Sequence, residues 1–178
     1  MTIAQASLDT PTVYELLFFK GGYQNMFDGH ATRWHMVKRY SFAIPTSQAL
    51  KVLAKYQPIL EVGAGNGYWA YEMRARGIDV VATEKCQHIK NNRYGFVKTW
   101  TEVFHATAAQ AIKQCANHTL FLCWPCYDKS WAYRVLKMYK GNILIYVGEG
   151  RGGCTADARF HNLLLNEWDE IDCVQIPR

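Results

Sequence analysis

The residues whose spacing permits chemistry stand together at Glu61-Val62-Gly63-Ala64-Gly65-Asn66-Gly67. A short apolar run, Ile59 to Val62, ends in three glycines at alternate positions. Glycines there let the backbone turn sharply and approach a ligand closely. A second apolar run, Asp79 to Thr83, ends in the acid Glu84. An acid about 20 residues past a glycine turn suits a ribose diol, which needs a hydrogen-bond acceptor. The pair reads as a nucleoside-binding β-α-β unit. A dinucleotide site wants Gly-x-Gly-x-x-Gly, with a pyrophosphate on the helix N-terminus. Here that third position falls on Tyr68, and Glu61 adds a carboxylate beside the loop. An anion there disfavours pyrophosphate and suits a cationic amino-acid group.

These residues must be positioned by strands and helices in alternation. Thr10-Pro11 starts a helix that Gly21-Gly22 stops. A helix near Ser47 to Tyr56 is capped by Thr46 or Ser47. Strands are expected at Pro58 to Val62, at Asp79 to Thr83, within Phe96 to His105, at His118 to Trp124, at Asn142 to Val147 and at Ile171 to Ile176. Helices lie between them: Asn66 to Arg76 with Gly77 as stop, a short one within Cys86 to Tyr94, and Thr107 to Ala116. Two more are expected, one capped by Asp128 and ending at Gly141, and one from a Thr155 cap to Trp168. The unbroken run Leu120 to Trp124 fits a strand buried on both faces. Such alternation predicts an α/β fold: a three-layer Rossmann-like sandwich with a mostly parallel central sheet and helices on both faces. In such sheets ligands bind at the carboxyl ends of the strands. Glu61 to Gly67, Glu84, His105 to Thr107, Cys123 to Tyr127 and Gly148 to Gly153 all fall at those ends.

Residues 1–45 read as an N-terminal helix followed by an aromatic and basic flap, and 46–178 as one catalytic domain. Within Tyr23 to Tyr40, aromatics interleave with His30, Arg33, His35, Lys38 and Arg39. That mixture can stack on bases while meeting phosphates, or can pack as an ordinary flap. The 178 residues carry a net charge of +5, which permits a nucleic-acid partner without requiring one. No apolar run is long enough to span a bilayer and no signal peptide is visible, so a cytoplasmic protein is expected. The six cysteines are then expected as thiols rather than disulfides.

The stretch Glu61-x-Gly63-x-Gly65-x-Gly67 resembles motif I of class I S-adenosylmethionine-dependent methyltransferases, and Glu84 resembles their ribose-binding acid. The resemblance runs from about Tyr40 to the C-terminus. It implies S-adenosyl-L-methionine as cofactor and methyl transfer as activity, with nucleic acid or a small amine favoured as acceptor. Glu61 would meet the amino-acid end, Gly63, Ala64, Gly65 and Gly67 would cradle the cofactor, and Cys123, Ala106 and Thr107 would border it. Tyr40 would lie over the cofactor or in the core, and so would Phe42. Glu149 and Arg151 would border the substrate. Two departures stand out. His105-Ala106-Thr107 occupies the place of an adenine-reading acid. The closing strand hairpin is reduced to one strand, so a last strand is missing or comes from a partner, and a homo-oligomer is one outcome.

Cys123-Trp124-Pro125-Cys126-Tyr127-Asp128 stands where amino methyltransferases carry Asp/Asn/Ser-Pro-Pro-aromatic. Trp124, Pro125, Cys126 and Tyr127 are therefore the candidate catalytic residues. Tyr127 keeps the aromatic, but Trp124 replaces a polar acceptor with an indole that can only donate. Alternatives are a cytosine-C5-type transfer using Cys126, a redox pair Cys123-x-x-Cys126, and a protein that binds the cofactor without catalysis. A zinc site on these cysteines with Cys86 and His88 is weakly signalled, and no metal is expected.

Overall fold

The computed structural model describes residues 7–8, 29–86 and 95–176, with side chains from residue 34 within the first helix. Among the described residues five strands form one all-parallel sheet in the order β3-β2-β1-β4-β5. They are β1 Ile59–Val62, β2 Val80–Glu84, β3 Phe104–His105, β4 Thr119–Cys123 and β5 Leu144–Val147. The helices are α1 Gly29–Arg39, α2 Ser47–Lys55, α3 Tyr68–Ala75, α4 Ala108–Gln114, α5 Trp131–Met138 and α6 Ala158–Glu167. This is the α/β, Rossmann-like arrangement that the alternating sequence predicts.

The central strand β1 is buried along its whole length, and it pairs with β2 on one side and β4 on the other. One face of the sheet packs Leu50, Leu53, Trp69 and Met73 from α2 and α3 against Ile59, Ala82 and Phe121. The other packs Ala111, Leu136 and Phe160 from α4, α5 and α6 against Leu60 and Leu122. Each large apolar side chain buried this way contributes about 1.5–3 kcal/mol. Thr46 caps α2 by accepting the Ala49 N–H at 3.2 Å. Thr107 caps α4 in a capping box with Gln110. Gly77, at φ +72, ends the α3 turn as the sequence predicts.

Several boundaries differ from expectation. Asp128 does not cap α5: its φ is +50, its N–H donates to the Ala156 carbonyl, and the helix starts three residues later behind Ser130. Thr155 does not cap α6; Asp157 does, accepting the Phe160 N–H at 3.0 Å. The third strand shrinks to two residues, because 95–103 spends its backbone elsewhere. Val97 N–H donates to Lys38 O and Trp100 N–H to Asn66 O. Ile171 to Ile176 forms no strand; Ile176 packs on the α2–α3 side of the core instead. The expected helix from Thr10, its Gly21-Gly22 stop and most of the Cys86 to Tyr94 helix lie outside the described residues. The Tyr23 to Tyr40 flap is helical from Gly29 to Arg39.

Candidate functional site

The chain runs outward from β1 through β2 to β3, then returns to place β4 on the other side of β1. The carboxyl ends of β1 and β4 therefore flank the crevice where open α/β sheets take ligands. A cleft of about 1350 Å³ opens there. Single small-molecule sites usually occupy about 300–1,000 Å³, so this one is larger than most.

Its floor is the glycine turn. Gly63, Gly65 and Gly67 have φ of +79, +57 and +77, which only glycine adopts without strain. The turn is tied down by its own amides. Gly63 and Ala64 N–H both donate to Thr83 O, at 2.9 and 3.0 Å. Gly65 N–H donates to Glu84 Oε2 at 3.2 Å, Gly67 N–H to Ala64 O, and Tyr68 N–H to Asn66 Oδ1. A bound phosphate needs such donors for itself. With these amides engaged, the turn is a poor anion cradle, which removes the physical basis of a pyrophosphate site.

Beneath the turn, Glu61 is 2% exposed yet borders the cleft. Its Oε2 has no hydrogen-bond partner in the protein. Burial pushes the carboxyl from 4.5 up to about 8, opposed by the Arg74 guanidinium, reinforced by the Glu84 charge and opposed again by the Ala70 N–H. A buried, unpaired carboxyl oxygen is costly unless a donor or cation completes it. Glu84 borders the same cleft and accepts from Gly65 and Cys86 N–H, one on each oxygen, leaving further lone pairs.

The roof and mouth come from the end of β4, the loop that follows it and α5. Trp124, Cys126 and Tyr127 line the cleft, and Tyr127 is 66% exposed at its rim. Trp131 from α5 lies over the turn, with Cη2 3.1 Å from where a Cβ on Gly63 would be. Trp124 (φ +48), Asp128 (φ +50) and Ala156 (φ +56) are left-handed without being glycine. Strained residues of this kind gather at functional sites, where surrounding bonds hold them. Here the bonds are Trp124 N–H to Val147 O, Asp128 N–H to Ala156 O and Ala156 N–H to Pro125 O, with an antiparallel bridge between Cys126 and Thr155.

The structure brings together Glu61, Gly63, Ala64, Gly65, Glu84, Ala106, Thr107, Cys123, Trp124, Cys126 and Tyr127. It leaves five candidates outside the cleft wall. Gly67 caps α3, with Val103 against it. Pro125 shapes the loop through its carbonyl. Tyr40 takes the core option: it is 6% exposed, its ring stacked on Trp100 at 5.3 Å. Glu149 accepts the Cys154 N–H and so folds its own loop, and Arg151 is exposed beyond the rim. Phe42 borders the cleft where Tyr40 does not. Phe96, Trp131 and Arg134 also line it and were absent from the sequence reading. They reach the site through long-range packing, which local spacing does not encode.

All six cysteines are free thiols. Burial, and then the Glu61 charge, raise the Cys123 thiol well above its usual range. A redox pair needs the opposite, a stabilised thiolate. Among the described residues no cluster of three or more His, Cys, Asp or Glu could hold a metal ion. Among them, too, no helix is long and apolar enough to cross a membrane.

Fold and cleft together define a Rossmann-like α/β protein with a cleft at the switch point of its parallel sheet. Comparison with protein-family models, curated proteins and solved structures finds no match.

Proposed function

We propose that this chain binds S-adenosylmethionine in the switch-point cleft and transfers its methyl group to an acceptor entering beside Tyr127. One observation carries the reading: Glu61 borders the cleft with a buried, unpartnered Oε2, under a glycine turn whose Gly63, Ala64, Gly65 and Gly67 amides are already engaged. That combination rejects phosphate and asks for a cation, and an amino-acid ammonium next to a nucleoside meets it.

When bound, the cofactor supplies a methyl group on a positively charged sulfur, which a nucleophile displaces in line. The chain's own contribution is positioning. Glu61 would accept from the ammonium and lose the proton that burial makes it hold near neutral pH. Glu84, already braced by Gly65 and Cys86, would accept from the ribose hydroxyls. Ala106 and Thr107, just past β3, would border the base. Trp124 and Tyr127 would hold a planar acceptor by their ring faces at the rim. An amine acceptor releases one proton, and the open mouth lets water take it.

Calorimetry with S-adenosylmethionine and with its demethylated form tests the reading. One equivalent of each should bind, and Glu61→Gln should weaken both by at least about tenfold. Absence of heat and of any thermal shift with both compounds would sink it.

A further inference from the structure

Helix α1, outside the cleft proper, carries a surface that the cofactor reading leaves unused. Its sequence, Gly29–Arg39, holds His30, Arg33, His35, Lys38 and Arg39 and no acidic residue. Trp34 is 53% exposed there, an unusual exposure for so large an apolar ring. His35, Lys38 and Arg39 are exposed beside it, and so is Lys98, whose ammonium sits 3.3 Å above the Trp100 ring centroid. The ion pairs among the described residues use none of Lys38, Arg39 and Lys98.

The surface leads into the site. Trp34 meets Phe42 edge to face at 6.5 Å, and Phe42 meets Phe96 the same way at 6.5 Å. The Phe96 ring then reaches the glycine turn, with Cε2 3.1 Å from where a Cβ on Gly65 would be. Hydrogen bonds to the end of α1 hold the neighbouring segment in place: Val97 N–H donates to Lys38 O and the Trp100 indole N–H to Arg39 O. Tyr127 and Arg134 line the same cleft as Phe42 and Phe96.

We propose that this ridge binds a single-stranded nucleic acid, with one base stacked on Trp34, phosphates met by Lys38, Arg39 and Lys98, and the strand led to the cleft mouth. The charge complements a phosphate backbone, and an exposed ring flanked by cations adds a stacking platform that a merely solvated basic face would lack. A duplex hides its base faces and leaves Trp34 unused. Only the last step, presentation of a base to the methyl donor, rests on the function proposed above; strand binding stands apart from it.

Anisotropy of a fluorescein-labelled oligothymidine of about 12 nucleotides, and of the matching RNA, tests the inference on the full chain. Low-salt binding is expected, with a log–log salt slope near about −2 for three phosphate contacts. Trp34→Ala should weaken it about fivefold or more. Lys38→Ala with Arg39→Ala should weaken it further and flatten the slope. Both variants should keep the parent's melting temperature and its calorimetric response to S-adenosylmethionine. No binding overturns the inference, as does binding insensitive to Trp34→Ala, or stronger binding to duplex or phosphatidylserine vesicles. Cofactor heat without strand binding removes this inference alone. Strand binding without cofactor heat removes the methyl-transfer reading alone.

Discussion

The Gly65 N–H and the Glu84 carboxylate are joined across the tips of β1 and β2 at 3.2 Å. The bond makes the second acid a brace for the glycine turn as well as a candidate ribose acceptor. Glu84→Ala removes both. Affinity for S-adenosylmethionine should fall several-fold or more by calorimetry, and the melting temperature should drop by a few degrees because the Gly65 and Cys86 amides lose their acceptor. Unchanged affinity would refute the ribose role.

Glu61 sets a pH dependence of unusual sign. Its ordinary value is 4.5 and its folded value is about 8. Between those limits the folded chain holds a proton that the unfolded chain has released. Stability therefore declines as pH rises through that window. Glu61→Gln has no proton to lose. It should match the parent near about pH 5 and melt higher than the parent near about pH 9, while binding S-adenosylmethionine poorly. A parent and variant with parallel melting curves across that range would contradict the burial argument.

Binding should also expel a proton. Near neutral pH the ligand-free Glu61 is mostly protonated, and pairing with an ammonium favours its ionised form. Calorimetric heats in buffers of different ionisation enthalpy should diverge by a fraction of one proton per site at pH 7, and converge above about pH 9. Identical heats in all buffers at pH 7 would remove Glu61 from the ligand's charged end.

At Gly67 the backbone is at φ +77 and an added Cβ would lie 2.7 Å from Val103 Cγ2. Gly67→Ala should cost about 1–3 kcal/mol, read as a melting temperature several degrees lower. The loss is structural, since Gly67 starts α3 and does not line the cleft. A variant of full stability would show that the turn relaxes more freely than its bonds suggest.

The thiols should differ in reactivity. Cys173 is exposed, whereas burial and the Glu61 charge raise Cys123. Alkylation of the native protein near about pH 8, followed by mass spectrometry, should label the exposed Cys173 well before Cys123. Cys126→Ser should retain methyl transfer, because the proposed acceptor is held by rings and attacks without a thiolate. Loss of activity in that variant would favour a covalent route through Cys126.

Much of this architecture was legible because its signals are local. The alternate glycines at 63, 65 and 67, the unbroken run Leu120 to Trp124 and the Gly77 stop all depend on backbone rules within a few residues. The misreadings came where distant partners decided. Asp128 looks like a helix cap, yet the Ala156 carbonyl holds its N–H and turns it left-handed. Val97 to Val103 alternates like a strand, yet Lys38 and Asn66 take its hydrogen bonds. Ile171 to Ile176 has a strand's pattern but pairs with no neighbour among the described residues. Within the site, both acids were visible from spacing. Phe96 and Trp131 were not, because their place over the turn follows from tertiary packing alone.

That the earliest strand of the sheet is also its middle one shapes how the chain is made. Ile59 emerges from the ribosome early, but Thr119, its neighbour in β4, follows much later. Until then one side of β1 has no strand to pair with, and its apolar residues lack half their cover. Pairing over such a separation is slow, and partly assembled sheets of this kind are prone to stick to one another. Synthesis of this protein should thus be sensitive to temperature and to holding chaperones in a way that its finished form is not.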